Sequence, residues 1–132
     1  MAATETVLII DDDPMIREIF EVIVEECLER LGRERYRIIS TACSREAMEE
    51  LERQRPAIII QDLKRPGLDG RELLETLRKI YDKQTLPIIV VSGRLDSPDL
   101  EKEILDLGAN AVVHKPDVSP LLEQTVKRLL GC

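Results

Sequence analysis

Aromatic residues are nearly missing: Phe20, Tyr36 and Tyr81 are the only three, and there is no tryptophan. Stacking platforms for single-stranded nucleic acid need several aromatic faces, so that function is excluded. A basic excess is also missing. Nineteen Lys and Arg stand against 26 Asp and Glu, for a formal net charge of −7. That balance opposes nonspecific attraction to nucleic acid or to an anionic membrane, both polyanions. The longest apolar runs are four or five residues, far short of the roughly 20 that a membrane helix needs. Cysteine is scarce and odd in number. Cys27, Cys43 and Cys132 show no CxxC spacing, so neither a disulfide framework nor a zinc site is expected, and a reducing cytoplasm is. Met1–Thr6 has no basic n-region and no apolar h-region, so no secretory leader is expected.

What is present is an alternation. With 132 residues, 43% hydrophobic and 34% charged, the chain is expected to be one domain over 1–132, with its core in about 6–130. Val7–Ile10, Tyr36–Ile39, Ala57–Ile60, Pro87–Val91 and Ala111–Val113 read as five strands. All but the second are apolar almost throughout, the pattern of strands covered on both faces of a parallel sheet. The second, flanked by Arg35 and broken by Arg37, suits an edge.

Helical periodicity fills the gaps. Ile16, Ile19, Phe20, Ile23, Val24, Cys27, Leu28 and Leu31 form the inward face of a long first helix closed by Gly32. Ser44 starts a second helix carrying Ala47, Met48 and Leu51, and Pro56 stops it. Asp69 to Glu72 has the spacing of a capping box for a third, with Leu73, Leu74, Leu77 and Ile80 inward. Ser97-Pro98 and Ser119-Pro120 are expected to cap and open the fourth and fifth, and Gly108 to close the fourth. The expected fold is (βα)5, an α/β doubly wound parallel sheet with helices on both faces.

Ligands of such sheets bind beyond the carboxyl ends of the strands. There the chain places Asp11, Asp12 and Asp13 after the first strand, Asp62 after the third, Ser92 after the fourth and Lys115-Pro116 after the fifth. Taken alone, the three aspartates are also what a helix N-terminus attracts, and Asp13 is read as that cap. Carboxylates crowded at one edge repel by about 4 kcal/mol per pair at 4 Å and an effective dielectric of 20. A divalent cation relieves that repulsion. An all-oxygen donor set completed by waters suits Mg²⁺, often bound beside a phosphoryl group. A carboxylate can itself be the nucleophile, so the pattern suggests phosphoryl transfer onto an aspartate. Ser92-Gly93 and Lys115 gain meaning only from their strand-end positions; His114 is read as a partly packed strand-end residue and Cys27 as core.

Four pieces at these strand ends carry a resemblance: Val7-Leu8-Ile9-Ile10-Asp11-Asp12; Asp62-Leu63 with Pro66-Gly67-Leu68-Asp69-Gly70; Pro87-Ile88-Ile89-Val90-Val91-Ser92-Gly93; and Gly108-Ala109-Asn110 leading to Lys115-Pro116. Together they resemble the receiver domain of two-component response regulators, from about Val7 to Leu130. The resemblance implies a flavodoxin-like, chemotaxis-regulator-like sheet of order 2-1-3-4-5. It implies that Asp62 accepts a phosphoryl group from a sensor histidine kinase or a phosphotransfer protein. Mg²⁺ would be held by Asp12, Asp62 and the backbone carbonyl of Lys64, with Asp11 acting mainly through metal-bound water. Ser92 would bond a phosphoryl oxygen and move toward it. Lys115 would pair with the phosphoryl group and, before it arrives, with Asp62, and the Lys115–Pro116 bond would be cis. The surface of the fourth helix, fifth strand and fifth helix would contact a downstream protein, an output domain or a second copy in a homodimer. Self-phosphorylation and autodephosphorylation would be the only chemistry.

The chain departs from that family pattern at Val112 and Asp117, where receivers often carry aromatics. Lys64, Arg65 and Arg94 make two site loops unusually basic. A rival of another class is a haloacid-dehalogenase-like phosphatase, which shares the Asp-x-Asp start at Asp11. Met15 stands where a threonine is expected, and no acidic pair follows Lys115. Further alternatives are a degenerate receiver acting as a scaffold, and a receiver excised from a larger regulator or hybrid kinase.

Overall fold

In the computed structural model, residues 5–32, 35–62, 68–92, 98–114 and 118–130 are described. Strands β1 (Glu5–Ile10), β2 (Tyr36–Thr41), β3 (Ile58–Asp62), β4 (Ile88–Ser92) and β5 (Ala111–His114) alternate with helices α1 (Pro14–Arg30), α2 (Ser44–Arg53), α3 (Leu68–Ile80), α4 (Pro98–Leu107) and α5 (Val118–Leu130). The sheet order is β2-β1-β3-β4-β5, and every pairing is parallel. This is the expected doubly wound architecture. It follows from apolar strands that must be covered on both faces, joined by crossover helices too amphipathic to stand alone.

Alternate strand residues feed two cores. Val7, Ile9, Ile58, Ile60, Ile89, Val91 and Val113 meet Phe20, Ile23, Val24, Cys27 and Leu28 of α1 and Leu122 and Val126 of α5. Leu8, Ile10, Ile59, Ile88 and Val90 meet Ala47 and Leu51 of α2, Leu73, Leu74 and Leu77 of α3, and Ile104 of α4. The thiol of Cys27, fully buried, donates to the Glu123 carbonyl at 3.7 Å, and Arg30 pairs with the Glu123 carboxylate, so α1 and α5 are joined directly. β2 is an edge, as its charges require, and β5 is the other, alternating buried Ala111 and Val113 with half-buried Val112 and His114.

Several local expectations need correction. Ile19 is 45% exposed and Ile80 60% exposed. Each lies at the margin of its helix's apolar stripe, where periodicity alone does not say how far the neighbouring layer reaches. α3 already includes Leu68, so Asp69 lies in its first turn and is not its cap. α5 already includes Val118, so Ser119 is likewise inside the helix, with Pro120 still in the first turn. Cys43 is the N-cap of α2 and makes no side-chain cap bond. Instead the carboxylate of Glu46 accepts from the Ala42 N–H at 2.8 Å. Gly32 and Gly108 do end α1 and α4 at positive φ, +71° and +121°. Ser97 and the Lys115–Pro116 bond lie outside the described residues.

Candidate functional site

Strand pairing decides which chemistry-bearing residues meet. Ile10 on β1 is paired with Gln61 on β3, so Asp11 and Asp62, one residue on, leave two adjacent strand ends that run about 4.8 Å apart. On the other side of β3, Asp62 is paired with Val91, and Ser92 follows. Ser92 is paired in turn with His114 at the end of β5. One carboxyl edge of the sheet thus brings together Asp11, Asp12, Asp62 and Ser92. Lys115 and Lys64 lie outside the described residues.

The acidic cluster after β1 is held by hydrogen bonds that assign its members different work. Asp11 is 3% exposed. Its N–H donates to the Thr41 carbonyl at 3.1 Å, extending the β1–β2 ladder one step past the strand. Its Oδ1 accepts from the Asp13 N–H at 2.9 Å, and its carbonyl accepts from Arg17 Nη1 at 2.6 Å. Asp12 is exposed at the same edge. Asp13 is the N-cap of α1, its carboxylate accepting from the Met15 N–H at 2.9 Å, with Pro14 opening the first turn. The third aspartate is thus a structural cap, as the sequence suggests, and the first two follow β1 at the carboxyl edge.

Asp62, half-buried, and Ser92, 1% exposed, sit at the ends of the two most deeply covered strands. The donor set at this edge is all oxygen. Such a set suits Mg²⁺, which keeps several waters and takes one or two carboxylates beside a phosphoryl group.

One residue of this region was not singled out by its sequence context. Gln61, immediately before Asp62, is 1% exposed. Its Nε2 donates to the Gly70 carbonyl in the first turn of α3 at 3.0 Å. The available signal was a lone amide at the end of the apolar run Ile58-Ile59-Ile60.

Comparison with known proteins gives a consistent result. The profile of the response regulator receiver domain matches residues 7–127. A protein-glutamate methylesterase/protein-glutamine glutaminase from Syntrophus aciditrophicus is 35% identical over 116 residues, covering 86% of this chain and 31% of that protein. The transcriptional regulatory protein CseB of Streptomyces coelicolor is 32% identical over 130 residues, covering 98% of this chain and 51% of that protein. The chain therefore spans about a third to a half of the length of these relatives. Among solved structures, a putative response regulator from Chloroflexus aurantiacus aligns with a TM-score of 0.79 at 27% identity, covering 98% of this chain and 99% of that one.

Proposed function

This chain belongs to the response regulator receiver domain family, the phospho-accepting modules of two-component signalling, and on that premise we propose that Asp62 takes a phosphoryl group from the phosphohistidine of a sensor kinase or phosphotransfer protein. The observation that supports this most is the register that sets Asp62 between Asp11 on one neighbouring strand and Ser92 on the other.

In this reading a carboxylate oxygen of Asp62 forms the new P–O bond as the P–N bond to the donor imidazole breaks, and the imidazole leaves with the bonding pair. Asp11, Asp12, Asp62 and the Lys64 carbonyl are the chain's groups for holding Mg²⁺, which this family generally uses. When bound, the ion neutralises charge on the phosphoryl oxygens. The hydroxyl of Ser92 donates to one of those oxygens, and the ammonium of Lys115 pairs with another. Before transfer, the Lys115 ammonium balances the Asp62 carboxylate.

The product is a signalling state, and its readout runs through α4, β5 and α5 to a downstream protein, an output domain or a second copy. α4 suits that role because its hold on the core is slight: Ile104 is fully buried, whereas Leu100 and Leu107 pack only partly against the core. No helix among the described residues is long and apolar enough to cross a membrane. Incubation with acetyl phosphate and Mg²⁺ tests the assignment. Wild type should gain a single alkali-labile phosphoryl mass and Asp62→Asn none. Full labelling of Asp62→Asn would overturn it.

A further inference from the structure

α2 ends at Arg53, and beside its last turn the amino ends of β1 and β2 form the wall of a cavity of about 240 Å³. Strand pairing builds that wall: Thr6 lies beside Arg37, and Leu8 beside Ile39. The chain leaving α2 returns against it, with Pro56 buried and the Ala57 N–H donating to the Thr6 carbonyl at 2.7 Å. Leu8, Ile39 and Pro56 give the cavity apolar surface, and Arg37, Glu50 and Arg53 give it charge. Packing leaves two of its features unexplained. Thr6 is 3% exposed, and its hydroxyl is buried with no hydrogen-bond partner among the described residues. Valine has the same shape and would avoid that cost. The charges are also uneven. The Glu50 carboxylate is taken by Arg53 Nη1 at 3.0 Å, whereas Arg37 has no hydrogen-bond or ion-pair partner among the described residues. One guanidinium is left over, in a chain whose formal net charge is −7.

A buried hydroxyl, an unpaired guanidinium and an apolar wall together describe a site for an anion that carries an apolar body. We propose that this cavity binds a small organic carboxylate. The planar guanidinium of Arg37 matches a carboxylate in fork geometry, and the Thr6 hydroxyl supplies a further donor. The body of the ligand lies against Leu8, Ile39 and Pro56. It must be compact, because the cavity is smaller than the roughly 300–1,000 Å³ of drug-sized sites. Thr6 and Arg37 are each the second residue of their strand, so the site lies at the opposite end of the sheet from Asp62 and does not depend on it.

Titration of the chain with sodium benzoate, read by the amide shifts of Thr6, Ile39 and Gln54, tests this. Two further probes are titrated beside it: benzamide, uncharged and of the same shape, and inorganic phosphate, charged but without an apolar body. Benzoate should give saturable shifts, and the other two should bind roughly tenfold more weakly or not at all. Arg37→Gln should weaken benzoate by a similar factor, and it keeps the fold because Arg37 is exposed on the edge strand. Thr6→Val should also weaken benzoate, with a thermal midpoint equal to or above that of wild type. Asp62→Asn should bind benzoate as wild type does. The proposal is overturned by the absence of a saturable shift or by an equal response to benzamide or phosphate. Wild-type affinity in Arg37→Gln or in Thr6→Val overturns it as well, as does loss of benzoate binding in Asp62→Asn.

Discussion

Arg78 and Gly108 are in closer contact than any side chain at position 108 would permit. Arg78 Nε donates to the Gly108 carbonyl at 2.7 Å, and a Cβ at 108 would lie 2.5 Å from Arg78 Cγ. The same guanidinium reaches the carbonyls of Tyr81 at 3.3 Å, Asp82 at 3.1 Å and Leu86 at 2.8 Å, and Asn110 Oδ1 at 2.8 Å. Asn110 Oδ1 also accepts from the Ile88 N–H at 2.9 Å, and its Nδ2 donates to the Lys83 carbonyl at 3.0 Å. One side chain thus ties the end of α3, the entry to β4 and the turn into β5. All of this lies at the opposite end of the sheet from Asp62. Burial lowers the Arg78 guanidinium from its usual pKa, and the nearby Asp82 charge partly offsets that.

Gly108→Ala should therefore be costly. It combines a strained φ of +121° with a clash into Arg78, for an expected loss of about 2–4 kcal/mol. Gly32→Ala meets nothing within 4 Å and carries only the backbone penalty of a left-handed residue, about 1 kcal/mol. Urea unfolding of both variants should return that order, and equal losses would show that Arg78 gives way freely.

Asp12 and Asp13 are adjacent in sequence and should respond oppositely. Asp13→Ala removes the α1 cap and should cost about 1 kcal/mol of stability, leaving Mg²⁺ affinity nearly intact. Asp12→Ala, at an exposed position, should weaken Mg²⁺ binding while barely moving the unfolding midpoint. Metal titration and thermal unfolding on the two variants check the assignment.

Asp82 gives the loop between α3 and β4 a pH dependence. Its carboxylate is held below the usual carboxylate range, chiefly by the Thr85 N–H and hydroxyl, then by the Gln84 N–H and Arg78. The N–H bonds from Thr85 and Gln84 measure 2.8 and 3.0 Å. A folded pKa below the unfolded one contributes stability that is present above the unfolded value, about 3.9, and is lost as pH falls through the folded one. The advantage of wild type over Asp82→Asn should hold at pH 6 and shrink below about pH 4. An advantage independent of pH would refute it.

Phosphorylation should be read out without a swinging ring. Val112 is half-buried, β-branched and stiff about χ1, and cannot fill the space behind a displaced Ser92. The response is expected in α4, which should exchange its amides faster in the presence of a phosphoryl mimic, while α1 is unchanged. Changes confined to the strand-end loops would contradict this.

Sequence alone determined the fold and most of the acidic edge. Four almost wholly apolar strands joined by amphipathic helices have few ways to hide both faces, and the strand ends are visible as the places where the apolar runs stop. Asp11, Asp12, Asp62 and Ser92 were legible for that reason, as was Asp13 as a cap from the proline that follows it. Periodicity misjudged Ile19 and Ile80, because a helical stripe has a direction but its width is set by the layer it meets. It also misplaced the starts of α3 and α5, where Leu68 and Val118 enter the helix ahead of the polar residues that looked like caps. Only the tertiary structure decided the pairings between distant segments. Gln61 reaches Gly70 and Arg78 reaches Gly108 because strand register and helix packing bring their backbones within hydrogen-bond range. No local preference encodes such a contact: a buried amide or guanidinium acquires its partner from the way the layers close around it.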